Sequence, residues 1–137
     1  MHQNHCQTLT TAAIQHATQL GISVNISVYD PGANLLSFQK MEGAPLGSID
    51  IAMNKARSAV LFGAPTEALG ELARNQQLTG FEQTNNGLIL FAGGEPIRHN
   101  NTVIGGIGIS GGSAEQDKEI ALFAIEQLSI KAVQEAS

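Results

Sequence analysis

Thr102-Val103-Ile104-Gly105-Gly106-Ile107-Gly108-Ile109-Ser110-Gly111-Gly112-Ser113 is the stretch on which the reading of this chain turns. Its Thr, Val and Ile residues favour a strand over Thr102–Ser110. The glycines at 105, 106 and 108 mark a place where another backbone or a ligand comes close. Directly downstream, Ser113 and Gln116 stand at capping-box spacing, and Glu115 and Asp117 suit the positive end of a helix dipole. A final helix is therefore expected after Ser113, continuing through Ile120, Phe123, Ala124, Leu128 and Ile130.

Upstream of the strand, Asn100-Asn101 reads as a tight turn. Leu88 to Phe91 reads as a short apolar strand, which Gly93-Gly94-Glu95-Pro96 interrupts before Ile97 and Arg98 resume. Residues Asn75 to Gly87 show no period. Before them, Thr66 is placed to cap a short helix to Arg74. Ile49, Ala52, Met53, Ala56, Ala59 and Val60 recur at helical spacing between Ser48 and Phe62. Their small size lets that helix lie close to whatever it covers. Asp30-Pro31-Gly32 is a turn signal between an alternating strand (Ile22, Val24, Ile26, Val28) and a returning strand over Leu35–Met41. The first helix is expected over Gln7–Leu20, with Leu9, Ala13, His16 and Leu20 on one face and Met1–Cys6 as a mobile tail ahead of it.

The 137 residues suit a single domain. Hairpin strands and helices in separate blocks imply an α+β fold with an antiparallel sheet. A net charge of −5, with scattered Lys and Arg, argues against a nucleic-acid partner. Nothing approaches the ~20 apolar residues of a membrane span. The polar stretch Met1–Thr10 lacks the apolar core of a signal peptide, so a cytoplasmic protein is expected. Charged residues make up 14% of the chain, below the roughly 25% of an average domain. A surface poor in charge suits burial against further copies, and a homo-oligomer is the expectation.

Ser110-Gly111-Gly112-Ser113 joins a strand to a helix N-terminus, where free N–H groups and the helix dipole can hold a carboxylate or phosphate. Gly93 and Gly94 are expected beside it through the hairpin. These residues, with Lys55 as counter-charge, form the candidate small-anion pocket; tight turns and close packing explain the same glycines without a ligand. His16, on the apolar face of the first helix, is a candidate axial haem ligand, although a packed, hydrogen-bonded histidine looks the same in sequence. His2, His5 and Cys6 fit no structural zinc spacing, and no metal site is expected. No nucleophile elbow or other catalytic signature is found, and no catalytic residue is assigned.

Several blocks resemble a known family. Lys40-Met41-Glu42-Gly43-Ala44, the helix centred on Lys55-Ala56, Pro65-Thr66, Gly93-Gly94-Glu95-Pro96-Ile97, and Val103 to Gly112 followed by Asp117 are similar to GlcG, to HbpS haem-binding proteins and to the C-terminal domain of PduO-type corrinoid adenosyltransferases. The likeness spans about Gln7 to Leu128. It implies a profilin-like α/β/α sandwich with a five-stranded antiparallel sheet, and self-association. It also implies a small anionic ligand, haem or another tetrapyrrole being the sharpest version, in an accessory rather than catalytic role. The alternatives it leaves open are haem degradation, small hydroxy-acid chemistry, and a structural partnership with an operon-encoded enzyme.

Overall fold

The computed structural model describes residues 1–136, with side chains at all of them except 130 and 133–136. Ile130, expected on the apolar face of the last helix, thus has its side chain outside the described residues. The elements run α1 (Gln3–Gln19), β1 (Asn25–Tyr29), β2 (Leu35–Lys40), α2 (Gly47–Phe62), α3 (Thr66–Asn75), β3 (Gly94–His99), β4 (Thr102–Ser110) and α4 (Ala114–Ala136). A short 3-10 turn at Phe81–Gln83 sits within the segment that has no sequence period.

Among the described residues the strands form one antiparallel sheet of four, in the order β2-β1-β4-β3. The five-stranded sheet implied by the family likeness is corrected to four. Leu88–Phe91 is the segment that does not join. Leu88 N–H donates to Glu82 O (2.9 Å) and Ile89 N–H to the Ser58 hydroxyl (3.1 Å). Its backbone is thus tied to the preceding loop and to α2, so β3 becomes the edge. Pro96, which has no N–H to offer a ladder, is tolerated there. The Asn100-Asn101 turn has φ of 50° and 66°, the paired positive values of the two-residue hairpin turn.

Helices α1 and α4 cover one face of the sheet and α2 the other. Alternation along β4 explains both contacts. Ile107 and Ile109 point into a core with Val24, Ile26, Val28, Leu9, Ala13 and Ile120. Gly106 and Gly108 point the other way, where α2 lies so close that a Cβ on Gly108 would stand 2.0 Å from Ala52 O. The close approach expected at these glycines is thus a helix backbone. Ala52, Ala56 and Ala59 are fully buried against the sheet.

Burial on both faces also corrects the expected one-sided strand. Every residue of β1 is buried. Towards α2, Ser27 Oγ donates to Ala52 O (2.7 Å) and Asn25 Nδ2 to Pro45 O (3.0 Å), while Asn25 Oδ1 is buried without a hydrogen-bond partner among the described residues. Helix α1 begins at Gln3, inside the stretch read as a tail, and Cys6 is buried in the core, not outside the fold.

Candidate functional site

The centre of the molecule's polar chemistry is a buried ion pair. Lys55, on α2, is 0% exposed and Asp117, on α4, is 2% exposed. Lys55 Nζ donates to Asp117 Oδ2 (3.1 Å) and to Ile109 O at the end of β4 (2.8 Å). Burial pushes the Lys55 ammonium below the usual lysine range, while the Asp117 charge opposes that shift. The pair therefore ties together one helix from each face and the strand between them. Phe91 lies over the ammonium, its ring centroid 5.1 Å from Nζ.

Gly93 and Gly94 shape the same spot. A side chain on Gly93 would meet Lys55 Nζ at 2.5 Å, and one on Gly94 would meet Lys55 O at 2.4 Å. Gly94 N–H donates to the Thr66 hydroxyl (3.0 Å). That hydroxyl was expected to cap α3, but Pro65 takes the cap position and Thr66 holds the strand instead.

The strand-to-helix junction brings Ser110, Gly111 and Gly112 together as the sequence reading required. Its donors, however, meet the chain's own acceptors. Gly112 N–H donates to Asp117 Oδ1 (2.9 Å), Ser113 N–H to Gln116 Oε1 (2.9 Å), and Gln116 N–H back to Ser113 Oγ (3.1 Å). The capping box predicted for Ser113 and Gln116 is thus present, and an internal carboxylate already sits at the positive end of α4. Gly111, with φ of 149°, packs its α-carbon face against Ser23 and Val24.

Next to this junction a cleft of about 910 Å³ opens between α3 and the first half of α4. Leu90, Phe91 and Leu122 supply its apolar wall; Phe91 and Leu122 are 47% and 44% exposed. Arg74 and Lys118 bring positive charge to it, and Glu67, Glu119 and Ser113 bring acceptors. Lys118 and Glu67 are ion-paired at 2.6 Å, joining α4 to α3. A second cleft, of about 970 Å³, lies between α3 and the Gln77–Gln83 loop, and Arg74 reaches both.

His16, on α1, is joined to the first cleft through Glu119. Its Nε2 is 2.6 Å from Glu119 Oε2, and Glu119 lines the cleft. Its ring stacks on Phe123 with centroids 4.4 Å apart. Nδ1 is buried and has no hydrogen-bond partner among the described residues. The structure therefore sets Lys55, Gly93, Gly94, Ser110, Gly111 and Gly112 in one cluster and His16 on a neighbouring helix. His2 and His5 lie at the start of α1, where His2 N–H donates to His5 Nδ1 (3.0 Å). Among the described residues no group of three or more His, Cys, Asp or Glu is placed to hold a metal ion. None of their helices is long and apolar enough to cross a membrane.

Two residues escaped the sequence reading. Asp117 was explained by the helix dipole alone, and nothing local predicts a lysine 62 positions away as its partner. Glu95 lies inside a glycine-proline motif that reads as a turn. Yet it stands two residues before Ile97, so the strand alternation puts both on the core side. It is only 7% exposed, and burial pushes its carboxyl up to about 7.

Several known proteins resemble this chain. The family described as haem degrading protein, HbpS-like, matches residues 1–126. The chain is 36% identical over 115 residues to an uncharacterised 15.0 kDa protein of Citrobacter freundii, covering 82% of this chain and 81% of that one. It is also 36% identical over 124 residues to the corrinoid adenosyltransferase PduO of Salmonella typhimurium, covering 89% of this chain but only 37% of PduO. Among solved structures, the Klebsiella pneumoniae protein ORFY superposes with a TM-score of 0.91 at 36% identity, covering 94% of this chain and 90% of that one. A PduOC:heme complex superposes with a TM-score of 0.88 at 33% identity, covering 93% and 94%. With the family matched along nearly its whole length and its fold shared, this chain belongs to the HbpS-like family.

Proposed function

We propose that this protein binds haem or a related carboxylated tetrapyrrole in the cleft between α3 and α4, as an accessory protein and not as an enzyme. The observation that carries the reading is the cleft itself. Its volume of about 910 Å³ lies within the roughly 300–1,000 Å³ of small-molecule sites. It offers an apolar wall (Leu90, Phe91, Leu122) to a flat macrocycle and two cations (Arg74, Lys118) to carboxylates, and its lining residue Glu119 is bonded to the His16 imidazole. A relative in the same fold is named as a heme complex.

His16 would hold the iron. Its Nε2 is engaged only by Glu119, which is 58% exposed at its side chain and free to turn outward. Stacking on Phe123 fixes the plane of the ring. Bound haem would supply a Lewis-acidic, redox-active iron whose behaviour depends on that axial ligand. Lys55, Gly93, Gly94, Ser110, Gly111 and Gly112 would act from beneath. The Lys55–Asp117 pair and the glycines around it hold Phe91 and the start of α4 where the cleft needs them.

Titration with hemin, followed through the Soret band, tests this. The wild type should give a saturable, stoichiometric band, and His16→Ala should shift it and weaken binding by about tenfold or more, in line with loss of one axial contact. No more binding than a non-specific control would sink the haem reading. The family description favours a second reading, in which haem is broken down. Loss of the Soret band on adding a reductant, faster than for free hemin, would establish it.

We also infer self-association. Leu35 and Leu36, on the edge strand β2, are 48% and 41% exposed, and an apolar open edge is a surface that a second copy would cover. Sedimentation velocity should give a mass that is a multiple of 14.4 kDa, and a monomer at micromolar concentration would remove this part of the proposal.

A further inference from the structure

We propose that Glu67 and Glu119 are built-in competitors of the ligand: each holds, in the empty cleft, one group that the ligand must take, so that haem is gripped lightly enough to be passed on. This rests on the ligand reading above and adds to it the regulation of that site. Both carboxylates line the cleft. Glu67, on α3, accepts from Lys118 Nζ on α4 at 2.6 Å. Glu119, also on α4, has Oε2 2.6 Å from His16 Nε2 on α1. The cation and the imidazole that the ligand needs are therefore both engaged before it arrives.

His16 is held in the form that suits a metal least. An ionised carboxylate only accepts, so the bond to Glu119 puts the ring proton on Nε2. The other nitrogen agrees with this. Nδ1 is buried and has no hydrogen-bond partner among the described residues, so a proton there would be a donor without an acceptor. A neutral imidazole binds a metal through the nitrogen that carries no proton. To offer Nε2, His16 must leave Glu119 and carry its proton on Nδ1 instead. Glu119 thus competes twice, for the atom and for the tautomer.

Lys118 is covered more simply. Glu67 and Lys118 are 43% and 38% exposed at their side chains, so both have room to turn away. A ligand carboxylate gains the ammonium only by replacing Glu67 on it. Binding at each point therefore yields a difference between a new bond and an old one, and not the whole of the new bond. The part-exposed Lys118 pair lowers affinity by about three- to fivefold. The His16 contact, 17% exposed on the histidine side and with a tautomer to change, lowers it by about five- to tenfold.

The test uses three ligands: hemin, hemin dimethyl ester, which has no free carboxylate, and protoporphyrin IX, which has no metal. Each is titrated into wild type, Glu67→Gln, Glu119→Gln and the double variant. Glu126→Gln, which removes a charge from an exposed position of α4 that does not line the cleft, is the control and should change nothing. Glu67→Gln should tighten hemin and protoporphyrin IX about three- to fivefold and leave the ester unchanged. Glu119→Gln should tighten hemin and the ester about five- to tenfold and leave protoporphyrin IX unchanged, because a glutamine amide can also donate to a bare Nε2. The two gains should multiply for hemin in the double variant and appear as slower dissociation. In the ligand-free protein, nitrogen NMR of the His16 ring should find the proton on Nε2 in wild type and both tautomers in Glu119→Gln. An equal gain for all three ligands would reduce the effect to net charge and overturn this inference alone. Weaker hemin binding in either variant, or a wild-type ring protonated on Nδ1, would do the same. A wild type that binds no hemin overturns the ligand reading and this inference together.

Discussion

Lys55→Met should cost the fold about 3–5 kcal/mol, a large share of the 5–15 kcal/mol that stabilises a typical domain. The loss does not measure what the ion pair contributes. It comes from stranding Asp117, which is 2% exposed, without its cation and cutting the donor from Ile109 O. A buried pair broken on one side is far worse than a buried pair removed whole. Lys55→Met combined with Asp117→Asn should therefore recover much of the loss. The asparagine can still accept from Gly112 N–H, as Asp117 Oδ1 does at 2.9 Å, and no net charge is left inside. Urea unfolding of the two single variants and the double variant gives the coupling. If Lys55→Met lowers the unfolding free energy by less than about 1 kcal/mol, the stranded Asp117 carboxylate has a route to solvent and the pair is not the clamp described.

The parts of this fold that were legible in sequence are those specified by neighbours along the chain. Thr102–Ser110 came out with its limits intact because β-branched residues, the Asn-Asn turn before it and the Ser113–Gln116 capping box after it all agree. Helix α2 was equally clear from its alanine face. The main misreadings involve partners outside the segment being read. Leu88–Phe91 has strand composition, but Ser58 and the Glu82 carbonyl claim its N–H groups. Asn25 and Ser27 are polar and alternate with the apolar residues of their strand, yet both are buried, donating to Pro45 O just before α2 and to Ala52 O within it.

The candidate site divides the same way. The glycine cluster and Lys55 were recognisable as special, and they do come together. What sequence could not say is that the anion expected at the α4 N-terminus is the chain's own Asp117, because that needs α2, β4 and α4 to be packed first. The cleft is a product of tertiary structure too. Glu67, Phe91 and Lys118 are separate features in the sequence and one wall-and-latch in the fold. Only Glu95 left a local trace, a charge in register with Ile97 on a strand face that is otherwise apolar.

Gly108→Ala, a single added methyl, should destabilise the protein by about 3 kcal/mol or more, at or beyond the upper end of ordinary overpacking. The added carbon would stand 2.0 Å from Ala52 O and 2.6 Å from Ala56 N, and neither is a side-chain end that can swing aside. To admit it, α2 must lift off β4. That lift would stretch the Ser27–Ala52 bond and pull Lys55 away from Ile109 O and Asp117. A fall of roughly 10 °C in Tm is expected for a domain of this size. Gly47→Ala is the control, since a methyl there meets nothing within 4 Å in the first turn of α2. It should stabilise by about 0.5–1 kcal/mol through lost freedom in the unfolded chain. The same substitution in the same packed unit thus carries opposite signs. A Gly108→Ala variant as stable as Gly47→Ala would mean that α2 rests on the sheet loosely enough to shift, and the rigid platform on which the cleft depends would be lost with it.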